Sequence, residues 1–163
     1  MAQMSELERL LALNEIEELM AQRVRAADTK DWVLYEALHV PDYRAEHDDQ
    51  QPWTSAAEMM ANVRKIMDPM TTVHHAHTPQ IDFESPVRAK GVWAMKGFSG
   101  WKQGTEDHWA VAFGHYFETY EKRDGKWRFS SRNYRYYHQQ ISPGGVFPSQ
   151  GPVTGSQHAE PQK

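Results

Sequence analysis

The spacing of apolar residues changes once along this chain, between Pro69 and Thr72, and that change limits the fold more than any other feature. Before it the pattern is helical. Ser5 with Glu8 three residues on forms a capping box. Leu7, Leu10, Leu11, Ile16, Leu19, Met20 and Val24 then recur at roughly helical spacing and predict a helix to about Ala27. Asp28-Thr29-Lys30-Asp31 breaks that pattern, and Trp32 to Leu38 predicts a short second helix closed by Pro41-Asp42. Tyr43 to His47 fits a short strand, followed by a polar turn through Asp48, Asp49 and Pro52. Ser55, again with Glu58 three residues on, opens a third helix that carries Met59, Met60, Val63, Ile66 and Met67 and stops before Pro69.

After Thr72 the runs are β-branched and aromatic: Val73–Phe83, Ala89–Phe98, His108–Glu121 and Lys126–Tyr137. Asp124-Gly125 between the last two is the strongest hairpin signal in the chain. Three helices followed by four long strands predict an α+β domain, its helices packed on one face of a strongly bent antiparallel sheet. That domain covers residues 1–141. Residues 142–163 hold four glycines and four prolines without apolar periodicity, and read as a flexible extension or a strap over the surface. There is no internal repeat.

Composition removes several function classes. Cysteine is absent, so there is no disulfide framework, zinc ribbon or thiol nucleophile. Lys plus Arg (18) against Asp plus Glu (22) gives a net charge of −4, which offers no global field for nucleic acid or an anionic membrane. No apolar run approaches the roughly 18 residues of a membrane span. Met1 to Ala12 lacks the pattern of a secretory signal, so the expectation is a cytoplasmic protein. From Lys122 to Tyr137 six basic residues interleave with five aromatics, a mixture found in single-strand binders, but strand alternation explains it equally.

Three segments then become specific. Thr72-Val73-His74-His75-Ala76-His77-Thr78-Pro79-Gln80-Ile81 resembles the His-containing strand of SnoaL-like proteins in the nuclear transport factor 2-like superfamily. Gly114-His115-Tyr116-Phe117-Glu118-Thr119-Tyr120, with Asp124-Gly125-Lys126-Trp127-Arg128-Phe129, is similar to that family's terminal hairpin. Ala27-Asp28-Thr29-Lys30-Asp31-Trp32 resembles its first motif. The resemblance runs from about Leu11 to Tyr137. It implies a cone-shaped α+β fold in which helices and a curled sheet enclose a deep apolar pocket. It also implies a homo-oligomer, dimer or trimer, and cofactor-free chemistry. The family includes dehydratases, polyketide cyclases, steroid isomerases, C–C lyases and non-enzymatic binding modules, so fold does not settle function. Scytalone dehydratase and bile-acid dehydratase use an Asp at the end of the first helix, a strand His and a Tyr. By resemblance Asp28 takes the place of the Asp and His74 that of the His, while the Tyr position falls on Arg23, whose guanidinium could hold an oxyanion or a carboxylate.

Two readings stand for Asp28: a buried carboxylate with a raised pKa serving as a base, or a cap on the second helix. His74 and Ala76 face one side of their strand, His75 and His77 the other. His75 and His77 could chelate a divalent ion with Asp82 or His115, although any i, i+2 pair shares a face and the spacing alone does not favour a metal. His115 alternates with Phe117, and Tyr116 with Glu118 and Tyr120; either set could line a cavity. Asn133 shares a face with Ser131 and Arg135. Trp101 and Phe98 sit among glycines from Gly97 to Gly104, which suits a movable lid. Trp93, Met95, Trp109 and Phe113 suit an apolar pocket or ordinary core, and Trp127 packs beneath the hairpin.

The expected activity is that of a cofactor-independent lyase, dehydratase-like, on a hydrophobic cyclic or aromatic small molecule. Asp28, His74 and Arg23 would carry the chemistry, and His115, Tyr116, Trp101, Asn133 and Tyr43 would contact substrate, with no metal and no nucleic-acid or membrane partner. Isomerase, cyclase and C–C lyase chemistry use the same parts, and a non-catalytic binding or oligomerisation module is the competing class.

Overall fold

The computed structural model describes residues 4–47 and 50–148. Its elements follow in the order α1 (Glu6–Thr29), α2 (Trp32–Ala37), β1 (His39–His47), β2 (Gln50–Trp53), α3 (Ala56–Met67), β3 (Thr71–Ser85), β4 (Arg88–Gln103), β5 (Glu106–Arg123) and β6 (Lys126–Ile141). Both N-terminal signals hold. The Glu8 amide donates to Ser5 Oγ and the Ser5 amide donates to Glu8, a reciprocal capping box. The Glu58 amide likewise donates to Ser55 Oγ. Of the predicted polar turn, Asp48 and Asp49 lie outside the described residues, as does the tail beyond Pro148, while Pro52 belongs to strand β2 and not to a turn.

The α+β class is borne out, with one correction. The six strands lie in the order β2-β1-β6-β5-β4-β3, and β1 runs parallel to β6 while every other pairing is antiparallel. The sheet is therefore mixed and open, not purely antiparallel. The parallel contact joins Arg44 to Ser131 and Glu46 to Asn133, residues 87 apart in the chain, and local periodicity carries no record of so distant a partner.

Register shifts between His77 and Gln80, Phe113 and Gly114, and Thr119 and Tyr120 bend the long strands around the helices. At Gly114 a Cβ would stand 1.9 Å from the Arg135 carbonyl oxygen, so only glycine fits that bulge. The Asp124-Gly125 turn has positive φ at both residues (51° and 72°), which matches the twist of the flanking strands.

The core lies between α1, α3 and one face of the sheet, where Ile16, Met20, Tyr43, Met59, Tyr120 and Phe129 are buried. The Trp93 indole donates to the Tyr120 hydroxyl at 2.7 Å, and Trp127 packs edge-on to Phe83. Leu7, Leu10 and Leu11, which the helical spacing assigned to the apolar side of α1, are instead exposed on its first turns.

The segment Gly97–Gly104 is not a lid. It continues β4 to Gln103, paired to β5 throughout and to β3 as far as Gly100, and Trp101 is buried there. Glycine content suggested a loop, but this ladder pairing holds the strand extended. Beyond β6 the chain is strapped down: Ser142 Oγ accepts from the Trp109 amide and meets His108 Nδ1 at 3.0 Å, and Phe147 packs edge-on to Trp101 at 5.4 Å.

Candidate active site

The last turn of α1 delivers Asp28 against the start of β3. Asp28 Oδ1 lies 2.6 Å from His74 Nδ1, Oδ2 accepts from the His74 amide at 2.9 Å, and the Thr72 hydroxyl donates to Oδ1 at 3.1 Å. Half-burial pushes the Asp28 carboxyl up, but the hydrogen bonds from the His74 ring and amide and from Thr72 outweigh it and hold the group below its ordinary value. This corrects the expectation of a raised pKa. The capping alternative for Asp28 is also answered, because Asp31 caps α2 by accepting from the Leu34 amide. An ionised carboxylate only accepts, so His74 Nδ1 carries the shared hydrogen, and it is the Nε2 of the neutral imidazole that offers a lone pair. Nε2 has no hydrogen-bond partner among the described residues.

The neighbours of His74 on the sheet are small except for Met95, whose methyl reaches toward Gly97. His74 stands opposite Gly97, and Gly97 opposite Ala112; in the next row Ala76, Met95 and Gly114 follow. A Cβ on Gly97 would meet nothing nearer than 3.9 Å, and one of those contacts is His74 Cδ2, so the ring edge away from Asp28 faces this floor.

Arg23 belongs to a different cluster. At about 100° per residue, five residues of helix separate its direction from that of Asp28 by about 140°. It is buried between the rings of Tyr35 and Phe129, with its Nη1 3.6 Å from Glu118 Oε1. Its Nε donates to His39 Nε2 at 3.1 Å. His39 Nδ1 donates to the Tyr35 carbonyl at 2.7 Å, which fixes that tautomer. Burial and the Arg23 guanidinium keep His39 well below the ordinary imidazole range, hence neutral. Arg132 Nε donates to the same Glu118 oxygen, and its guanidinium lies 3.9 Å from the centre of the Tyr116 ring. Burial pushes the Glu118 carboxyl up, with Arg23 pulling the other way.

The remaining candidates divide by face. Tyr116 stands opposite Trp93 on the helix side, and Tyr43 is buried on β1 within the same core. Trp101 falls on that side too, at the far end, stacked on His108 beneath Phe147. His115 and Asn133 face away: His115 packs on Phe117 and Tyr137 on the opposite surface, and Asn133 pairs with Phe117 there. Alternation places His75 and His77 on that surface as well, and no group of three potential metal ligands occurs among the described residues.

Lys30 and Thr72 were missed as candidate residues, and Glu118 was weighed only as a member of the Tyr116 face. Glu118 carried a usable signal, a carboxylate between Tyr116 and Tyr120 on an inward alternation. Lys30 carried none, because its place is fixed by a helix cap and a strand 42 residues away.

Residues 8–133 match the SnoaL-like domain family. No curated protein sequence matches the chain. Among solved structures it is similar to a scytalone dehydratase candidate from Novosphingobium aromaticivorans (21% identity, 94% of this chain and 100% of the other, TM-score 0.78). It is likewise similar to the LinA-type3 hexachlorocyclohexane dehydrochlorinase of Novosphingobium barchaimii (19% identity, 90% of this chain and 100% of the other, TM-score 0.76). At these identities the likeness establishes the fold. No helix among the described residues is long and apolar enough to cross a membrane.

Proposed function

Since the chain belongs to the SnoaL-like domain family, we propose that it is a cofactor-independent, dehydratase-like lyase acting on a hydrophobic cyclic or aryl small molecule. One observation carries this reading: His74 gives its Nδ1 hydrogen to Asp28 at 2.6 Å and turns its other edge toward Gly97, beside the Met95 methyl. A base so oriented can take a proton from carbon beside a carbonyl, phenol or benzylic centre.

In this reaction Nε2 removes the proton and the C–H electron pair becomes the new double bond. The bond to the neighbouring hydroxyl breaks, and the departing oxygen recovers the proton from Nε2 as water. Asp28 orients the ring and stabilises the transient imidazolium; a carboxylate already accepting three hydrogen bonds is a poor base. Arg23, buried on Glu118, acts through its field on developing negative charge and not by contact. Tyr116, Tyr43 and Trp101 bound the substrate on the helix side, whereas His115 and Asn133 have no part in this chemistry. The fold's likeness to a dehydrochlorinase and a dehydratase candidate supports elimination over isomerisation or cyclisation.

The opposite sheet surface exposes Phe113 and Tyr137 beside His75 and His77, which favours self-association there as a dimer or trimer. Sedimentation of the wild type against a Phe113→Glu, Tyr137→Glu variant tests that assignment. The activity is tested with a panel of cyclic and aryl β-hydroxy ketones incubated in D2O and followed by NMR. Loss of water with the wild type, and neither loss nor exchange at the α-carbon with His74→Ala, is the expected result.

A further inference from the structure

Lys30 closes α1 in the left-handed conformation, φ 62° and ψ 28°, its amide returning to the Ala26 and Ala27 carbonyls. Glycine is the residue that takes this cap without strain. The lysine side chain folds back over the Trp32 ring, 5.7 Å from its centre, and Nζ donates to Thr72 Oγ1 at 2.9 Å. The same Thr72 oxygen lies 3.1 Å from Asp28 Oδ1.

The inventory of donors leaves one arrangement. An ammonium has no acceptor, so Thr72 must accept from Lys30. A hydroxyl has a single hydrogen, and the ionised carboxylate beside it has none to offer. We propose that Lys30 and Thr72 are positioning residues for the dyad: the ammonium occupies the hydroxyl lone pair, commits the hydroxyl hydrogen to Asp28, and fixes the direction Lys30→Thr72→Asp28←His74. The consequence is a carboxylate that stays ionised and presents one orientation to the imidazole, with a cation one hydroxyl away.

The charged groups around this chain are few. Asp28 lies on α1 and Asp68 at the end of α3, where it accepts from the Trp32 indole and meets Arg64 Nε at 3.7 Å. On β4 the residue opposite His74 is Gly97, while Lys96 and His75 occupy the other face. Burial lowers the Lys30 amine, and Asp28 and Asp68 oppose that shift.

This inference rests on Asp28 and His74 forming the working pair, but its test needs no substrate. The Asp28 carboxyl carbon is titrated by NMR in the full chain, in the wild type and in Lys30→Met, Lys30→Arg, Thr72→Val, Thr72→Ser and the Lys30→Met/Thr72→Val double variant. Lys30→Met and Thr72→Val should each move the Asp28 midpoint upward by about half a unit. Lys30→Arg and Thr72→Ser should hold it near the wild-type position, because each retains the donor pattern. The double variant should shift by clearly less than the sum of the two, since Lys30 acts through Thr72. An unmoved midpoint in both single variants, additive shifts, or a Thr72→Ser as displaced as Thr72→Val would each overturn the relay. The conservative pair supplies folded comparators if a truncated variant is unstable. An intact relay with an inactive substrate panel would count against the proposed reaction alone; a broken relay with His74-dependent turnover would count against the relay alone.

Discussion

Asp28 grips His74 at two points, Oδ1 at 2.6 Å from the ring Nδ1 and Oδ2 at 2.9 Å from the backbone amide of the same residue. The second bond anchors the carboxylate to the strand itself, so the imidazole is oriented by β3 and by the end of α1 together. Asp28→Asn retains the shape but can present an amide hydrogen to Nδ1. That would release the ring tautomer and lower turnover by roughly 10²–10⁴-fold. Circular dichroism should show an unchanged fold, and steady-state kinetics should show the loss in kcat more than in KM.

The same grip gives stability a defined dependence on acid. The folded Asp28 carboxyl lies below its reference value of 3.8. Its contribution is therefore complete above about that pH and is lost as pH falls through the lower folded value. Urea denaturation of the wild type and Asp28→Asn should show the gap between them shrinking below pH 3.8. A gap that widens there would contradict the assignment.

Glu118 holds the interior around Arg23 and Arg132. Glu118→Ala removes the acceptor from two guanidiniums in the core and should cost about 3–5 kcal/mol. Glu118→Gln keeps an acceptor oxygen and should cost less. Equilibrium denaturation distinguishes them, and an Ala variant as stable as the wild type would remove Glu118 from the core's support.

Two glycines should respond in opposite ways. Gly114→Ala drives a Cβ to 1.9 Å from the Arg135 carbonyl oxygen and should disrupt the β5–β6 pairing, seen as a large fall in melting temperature. Gly97→Ala meets nothing closer than 3.9 Å and should fold normally, while narrowing the floor beside His74 and raising KM for bulky rings.

Much of this architecture is legible in the sequence. Ser5 and Ser55, each with Glu three residues on, marked two helix starts, and Asp124-Gly125 marked the last hairpin. Alternation separated His74 from His75 and His77, and the first-helix motif brought Asp28 to it. What the sequence concealed depends on long-range geometry. The parallel β1–β6 contact, the Arg23–Glu118 ion pair and the reach of Lys30 to Thr72 join residues between 42 and 95 positions apart. The glycines of Gly97–Gly104 misled because local propensity favours a loop where ladder pairing imposes a strand. Leu7, Leu10 and Leu11 follow a helical spacing whose apolar side extends past the sheet it would cover.

Proton abstraction at carbon by His74 is open to direct measurement. With a substrate from the β-hydroxy ketone panel, the rate of α-deuterium exchange and water loss in D2O is compared between wild type and His74→Gln. Both rates should fall at least about 10²-fold in His74→Gln with the fold retained. Exchange and elimination at wild-type rates in His74→Gln would contradict abstraction by His74.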